Sequence, residues 1–314
     1  MKSFYVTIML IAAVFMLLSP LTAAAPNTKP QTLPVMGTPT IEPENVRVLN
    51  NETGQTETYT LADYLFGVVS AEMPALYEPE ALKAQAVAAY TFYLRKKETN
   101  SQKDYDITND YSQDQAFISP AAAKEKWGSN ADSYETKIRA AINSVLYKKV
   151  TYNGQIAATV YHAISFGKTE TAADVWGGEY PYLVSVDSNF DKFATNYLSV
   201  VTFTAAELKT ALSGVAEVKN LTENCFSAKT LTTAGSVKSL KVGGTTVSGA
   251  KIRKALNLRS TDFDIAFENG TYTFTVRGYG HAIGMSQFGA NYLAQQGKTW
   301  QEILLYYYTG CQIE

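Results

Sequence analysis

An α+β fold with antiparallel sheet, arranged as two lobes with a cleft between them, is what the sequence predicts. Three observations carry this. Two stretches between Leu61 and Tyr93 repeat apolar residues at helical spacing; short alternating runs are joined by turn dipeptides; and no regular βαβ alternation or internal repeat is present. The turn dipeptides are Asn153-Gly154, Gly243-Gly244 and Asn269-Gly270, the residue types that tolerate the positive φ angles of tight hairpins.

In chain order, a strand is predicted at Val46–Leu49 and a helix after Thr60, whose hydroxyl suits an N-cap. Leu61, Tyr64, Leu65, Val68 and Val69 form one face of that helix, and Pro74 stops it. Pro79 opens a second helix at a position where its missing N–H costs little, with Leu82, Ala86, Ala89, Tyr90 and Tyr93 as the buried stripe. A polar stretch from Asn100 to about Gln115 leads to helical residues around Tyr134–Leu146. Next, KKVTYNGQIAATVYHA reads as a hairpin whose second strand runs through Ile156, Ala158 and Val160 to His162. From Leu198 a strand leads into a helix with a capping box at Thr204 and Glu207, opening a second lobe over about 198–268. The Asn269-Gly270 turn feeds the alternating strand Tyr272, Phe274 and Val276.

The chain has 314 residues, enough for a substantial core, and its net charge of -2 gives no electrostatic reason for a nucleic-acid partner. Cys225 and Cys311 lack the closely spaced Cys or His partners of a structural zinc site, so neither metal nor cofactor is expected; a disulfide between them is open. Lys2 followed by an apolar run from Phe4 to Leu18, extended to Ala25, directs the chain to export. Residues 1–25 are read as an uncleaved single-pass membrane anchor, with a cleavable signal ending near Thr22 and Ala24 as the alternative. Residues 26–45, rich in Pro and Thr, read as a solvated linker, and 46–313 as the extracytoplasmic domain.

Glu72 follows Val68 by four residues and Leu65 by seven, which puts its carboxylate on the apolar helix face. Such a setting disfavours ionisation and suits a proton donor, whereas the structural alternatives are a cap on a neighbouring helix or an ion pair with Lys83. The two histidines, His162 and His281, both stand at loop mouths, His281 inside a glycine-dense turn that lets backbone approach a ligand closely. A cysteine hydrolase built on Cys225 or Cys311 with His281 lacks a nucleophile at a helix start.

Three segments, VVSAEMPALYEPEALKAQAVAAYTFYL, YHAISFGKTETAADVWGGEYPYL and LRSTDFDI with VRGYGHAIGMSQFGANYLAQQGKTWQEILLYYYTG, resemble the stage II sporulation protein D family and its amidase-enhancer relatives. The resemblance runs from about Val46 to Ile313. It implies a membrane-anchored lytic transglycosylase of engulfment during endospore formation, cutting peptidoglycan glycan strands between N-acetylmuramic acid and N-acetylglucosamine. The partners implied are a cell-wall amidase that strips stem peptides and a multispanning membrane protein that recruits both. The Glu of AEMP, here Glu72, is the implied catalytic acid. His162, Ser165, Lys168, Thr169, Tyr182, Gly280, His281, Ser286 and Gln287 are the expected substrate-binding residues. The sequence departs from the family pattern at Tyr90, where Arg is common, at the loop AISFG, and at Ala282 in GYGHAIGMSQ, where Gly is common. These departures keep a second reading in view, a non-catalytic wall-binding enhancer of an amidase.

Overall fold

The computed structural model describes residues 44–178, 180–216, 222 and 225–314; the predicted anchor and the linker through residue 43 lie outside them. Among the described residues no helix is long and apolar enough to cross a membrane. Strand β1 (Asn45–Leu49) pairs antiparallel with β2 (Thr56–Thr60). The hydroxyl of Thr60 accepts the Asp63 N–H at 3.1 Å and so caps α1 (Leu61–Glu72), as predicted. Helix α2 (Pro79–Thr99) follows with its predicted stripe buried, and β3 (Ile107–Thr108) returns to the free edge of β1 as a parallel neighbour. The polar stretch leads into α3 (Pro120–Trp127) and α4 (Ala131–Val145), which buries Ile138, Ala141, Ile142 and Val145 at i, i+3, i+4 and i+7.

The hairpin forms between β4 (Val150–Tyr152) and β5 (Gln155–Ile156), turning on Asn153 and Gly154 with φ of 50° and 74°. The long second strand expected through His162 does not form. Ala157, Ala158 and Thr159 are all buried, without the alternation a half-buried strand requires. Their polar groups are met elsewhere: the Ala158 N–H donates to Tyr182 Oη at 2.7 Å and the Thr159 hydroxyl to the Ala88 carbonyl of α2 at 2.8 Å. A new strand, β6 (Tyr161–His162), begins beyond them.

The chain continues through α5 (Ala172–Trp176), β7 (Leu198–Thr204) and α6 (Ala205–Leu212), whose Thr204–Glu207 capping box is present in full. Strands β8 (Phe226–Leu231), β9 (Val237–Val242) and β10 (Thr245–Ser248) form one antiparallel sheet in the order β10-β9-β8. After α7 (Gly249–Ala255), β11 (Asp262–Glu268) and β12 (Thr271–Arg277) form another with β7, in the order β11-β12-β7. Strand β13 (Met285–Ser286) pairs parallel with β6; α8 (Gln287–Gln295) and α9 (Trp300–Tyr307) follow, and β14 (Gln312–Ile313) closes on β4. The small, mostly antiparallel sheets mixed with helices are the predicted α+β class.

Apolar side chains gather into two large cores. The first packs α1, α2 and α4 with β1 and with Ala290, Ile303, Leu304 and Tyr307 of α8 and α9. The second lies among β7 to β12, α6 and α7, around Phe263, Tyr272 and Phe274. Each fully buried Leu, Val or Phe in them contributes roughly 1.5–3 kcal/mol of transfer free energy. Cys225 lies in the second core and Cys311 in the first, both as free thiols. Glu170, fully buried, accepts the hydroxyls of Ser236 at 2.6 Å and Thr232 at 2.8 Å, from the turn between β8 and β9, while its own N–H donates to the Ala282 carbonyl at 2.7 Å.

Ala282 holds φ at 62°, a left-handed conformation that costs an L-residue roughly 1–2 kcal/mol. Ala282→Gly should therefore stabilise the domain, by roughly 0.5–1 kcal/mol once the greater freedom of the unfolded glycine is subtracted. A rise in the midpoint of denaturant unfolding checks this.

Candidate active site

Glu72 is the last residue of α1, where Met73 leaves the helix and Pro74 prevents its continuation. Its side chain is met by the segment before α3 and by the start of α8, which in turn approaches α2. Oε1 accepts the Ala116 N–H at 2.8 Å, and Oε2 accepts Nε2–H of Gln287 at 3.1 Å. Gln287 Nε2 also stands 3.4 Å from Oε1 of the fully buried Gln85. Lys83 is engaged by Glu80 at 2.6 Å, and among the described residues no salt bridge involves Glu72. Burial raises the Glu72 pKa, and the hydrogen bonds from Ala116 and Gln287 only moderate the rise. A half-buried carboxyl with two neutral donors and no cation is held toward its protonated form, the state a general acid needs.

A second network lies beside the first. Tyr161 donates its hydroxyl to Gln115 Oε1 at 2.6 Å, and Gln115 Nε2 donates to the Tyr64 hydroxyl at 2.5 Å. Burial pushes the Tyr161 hydroxyl well above its ordinary pKa, with the Glu72 charge adding to the rise.

The two histidine rings lie 5.8 Å apart, centre to centre, and both are tied to Ile283. His162 Nδ1 lies 3.1 Å from the Ile283 carbonyl, which can only accept, so Nδ1 carries the proton. The Ile283 N–H donates to His281 Nδ1 at 3.0 Å, so the His281 proton sits on Nε2. The glycines of this loop serve a close approach to protein backbone: at Gly280, with φ of 119°, a Cβ would stand 2.7 Å from His162 Cβ. Burial depresses the His162 pKa to about 3, helped by His281, and burial with the Arg253 charge depresses His281 to about 4.

Both imidazoles thus stay neutral in the fold below the pH at which the unfolded chain protonates them. Their contribution to stability is whole above about pH 6.5 and is lost as pH falls toward about 4. Asp191, which burial raises to about 6, acts in the opposite sense over the same window. His162→Asn, which removes one imidazole, should accordingly lose less melting temperature than the wild type on acidification from pH 7 to 4.5.

Of the sequence-predicted site residues, the fold brings Gln287 onto Glu72 and places Ser286 in register with His162 across the β6–β13 pair. Ser286 caps α8 by accepting the Gly289 N–H at 3.1 Å. Ser165 is buried, its N–H donating to Asp191 Oδ2 at 2.7 Å. Thr169 clamps its own segment, donating to the Val184 carbonyl and accepting the Val186 N–H. Tyr182 packs on Tyr152 with its hydroxyl held by Ala158, and Lys168 is exposed. Gln85, Gln115, Tyr161 and Asp191 escaped sequence reasoning. Gln85 left a signal, because it sits at i+3 from Leu82 inside the apolar stripe of α2.

The family model for stage II sporulation protein, SpoIID, matches residues 49–152, which include Glu72, Gln85 and Gln115. Stage II sporulation protein D of Bacillus subtilis (strain 168) is 38% identical over 278 residues, covering 86% of this chain and 79% of that protein. The Bacillus amyloliquefaciens protein of the same name is 36% identical, with 86% and 79% covered. The amidase enhancer of Bacillus subtilis (strain 168) is 27% identical over 78% of this chain and 39% of its own length. With more than a third of residues identical along most of both chains, this protein belongs to the stage II sporulation protein D family.

Proposed function

We propose that the protein is a peptidoglycan lytic transglycosylase acting on denuded glycan strands, and that Glu72 is its catalytic acid and base. The observation that carries this is the Glu72 carboxyl, desolvated at a helix end, unpaired with any cation among the described residues and oriented through both oxygens by neutral donors. Glu72 protonates the oxygen bridging to N-acetylglucosamine as the muramyl C1–O bond breaks. The muramyl C6 hydroxyl then attacks C1, its proton passes to the Glu72 carboxylate, and a 1,6-anhydro ring closes with the acid regenerated. One carboxyl serves both steps and no water is activated, unlike the paired carboxylates of ordinary glycosidases.

The Ala116 N–H and Gln287 keep the carboxyl aimed while it cycles between its two states. In this reading the enzyme is held outside the cytoplasm by its N-terminal segment and follows a cell-wall amidase that strips the stem peptides. The amidase-enhancer relative supports the link to an amidase and also the second reading, an enhancer with no chemistry of its own. Mass spectrometry of denuded glycan incubated with the protein separates the two: anhydro-muramyl ends are expected, and intact strands would leave the enhancer reading.

A further inference from the structure

A cavity of about 540 Å³ lies far along the chain from Glu72, between the two sheets of the second core. Its walls are Phe226, Ser227, Ala228 and Lys229 on one side and Asp264, Ile265, Ala266 and Phe267 on the other. These are consecutive residues of β8 and β11. A cavity on a sheet face is lined by alternate residues, since successive side chains point to opposite faces; the consecutive residues along the regular strand β11 mean that the cavity meets it edge-on, and on the other wall it meets β8 at a bulge around Ala228.

Both strands are terminal in their sheets. Among the described residues, β8 pairs only with β9, and β11 only with β12. The two-residue Asn269-Gly270 turn closes on the hydrogen-bonded pair Glu268 and Thr271, so Ile265 and Phe267 direct their N–H and C=O away from β12, toward the cavity. On the facing wall the Cys225 carbonyl is taken by the Gly243 N–H, which leaves Phe226, one residue on, with its backbone groups turned outward in the same way. The floor is apolar, with Leu240 and Tyr272, and Lys229 and Asp264 meet at 3.3 Å on the rim.

We propose that this seam is a binding site for an extended peptide segment of a protein partner, which enters as an added strand between β8 and β11. The outward backbone groups of Ile265 and Phe267 on β11, and of Phe226 on β8 just before a bulge at Ala228 and Lys229 interrupts its ladder with β9, are complementary to another backbone, which can pair on both sides. Alternate side chains of the guest turn inward onto Leu240, Phe226 and Phe267, and the others turn to solvent. Rim charges of both signs suit a segment whose outward residues carry both signs as well. A sugar chain fits less well, because the aromatic rings here are spent on one another: Phe226 stands at 78° to Tyr272 and 89° to Phe274, and the Tyr272 hydroxyl donates to the Thr222 carbonyl at 2.7 Å. The site is independent of the Glu72 chemistry.

The test selects a displayed library of random linear heptapeptides on the full-length protein, then titrates the enriched peptides by calorimetry. Peptides alternating apolar and polar residues are expected. Ala266→Arg, an exposed change at the mouth, and Ile265→Pro, which removes an outward donor, should each weaken binding at least about tenfold while leaving action on glycan unchanged. N-methylation of either of two adjacent central amides of the peptide should also weaken it, since both edges pair. The proposal is overturned if no peptide is enriched, or if enriched peptides bind both variants as they bind the wild type. It is equally overturned if Ala266→Arg abolishes binding of an N-acetylglucosamine oligomer, or a concentration-dependent self-association, since the seam would then belong to glycan or to a second copy of this chain.

Discussion

Glu72→Gln should leave the domain folded and glycan bound while formation of anhydro-muramyl ends falls by roughly 10²- to 10⁴-fold, the range for a lost general acid and base. The fold tolerates the change because the surrounding groups are amides that can turn. The new side-chain carbonyl keeps the Ala116 N–H, and its NH₂ faces Gln287, which rotates to offer its own carbonyl. No charge is stranded, since Lys83 belongs to Glu80. The roughly 3–5 kcal/mol penalty that follows from breaking a buried ion pair should be absent from thermal melts. A stable variant that still yields anhydro-muramyl products at the wild-type rate would refute the assignment.

Gly284→Ala should destabilise the domain by roughly 3–5 kcal/mol, through backbone strain and overpacking together. Gly284 has φ of 69°, and a Cβ there would stand 2.1 Å from the Val160 carbonyl oxygen, an atom that the neighbouring strand pairing holds in place. Gly297→Ala is the matched control. Its φ of 83° is similar but nothing lies within 4 Å of an added Cβ, so only the conformational term of roughly 1–2 kcal/mol applies. Comparable losses for the two variants would show that the contact with Val160 is not rigid.

Local grammar was the most legible part of this sequence. The Thr60 cap, the Pro79 helix start, the Thr204–Glu207 box and all three hairpin turns depend on neighbouring residues alone, and each stands as predicted. Helical spacing also placed Glu72 on the buried side of α1. What could not be read was pairing across distance. The segment Ala157–Val160 looks like strand in the sequence, but its partners are a helix carbonyl and a tyrosine hydroxyl supplied from elsewhere in the chain. Gln287 lies 215 residues from Glu72, and Asp191 sits in a short 3₁₀ helix, Asn189–Phe193, with no apolar pattern to single it out. The Ile283 backbone that sets both histidine tautomers carries no signal in a side-chain alphabet at all.

Glu170 has a consequence for cooperativity. Its side chain is bonded to the turn of one core, and its backbone to the loop that carries His281 beside the other. Opening either body separately would strand a buried carboxyl group without its donors, a cost that the remaining body must bear. The two cores should therefore melt as one unit, with a single calorimetric transition and slow-exchanging amides of matched protection in β9 and α2. Trimming the β8–β9 turn would then be felt beyond its own core, as faster local opening around His162.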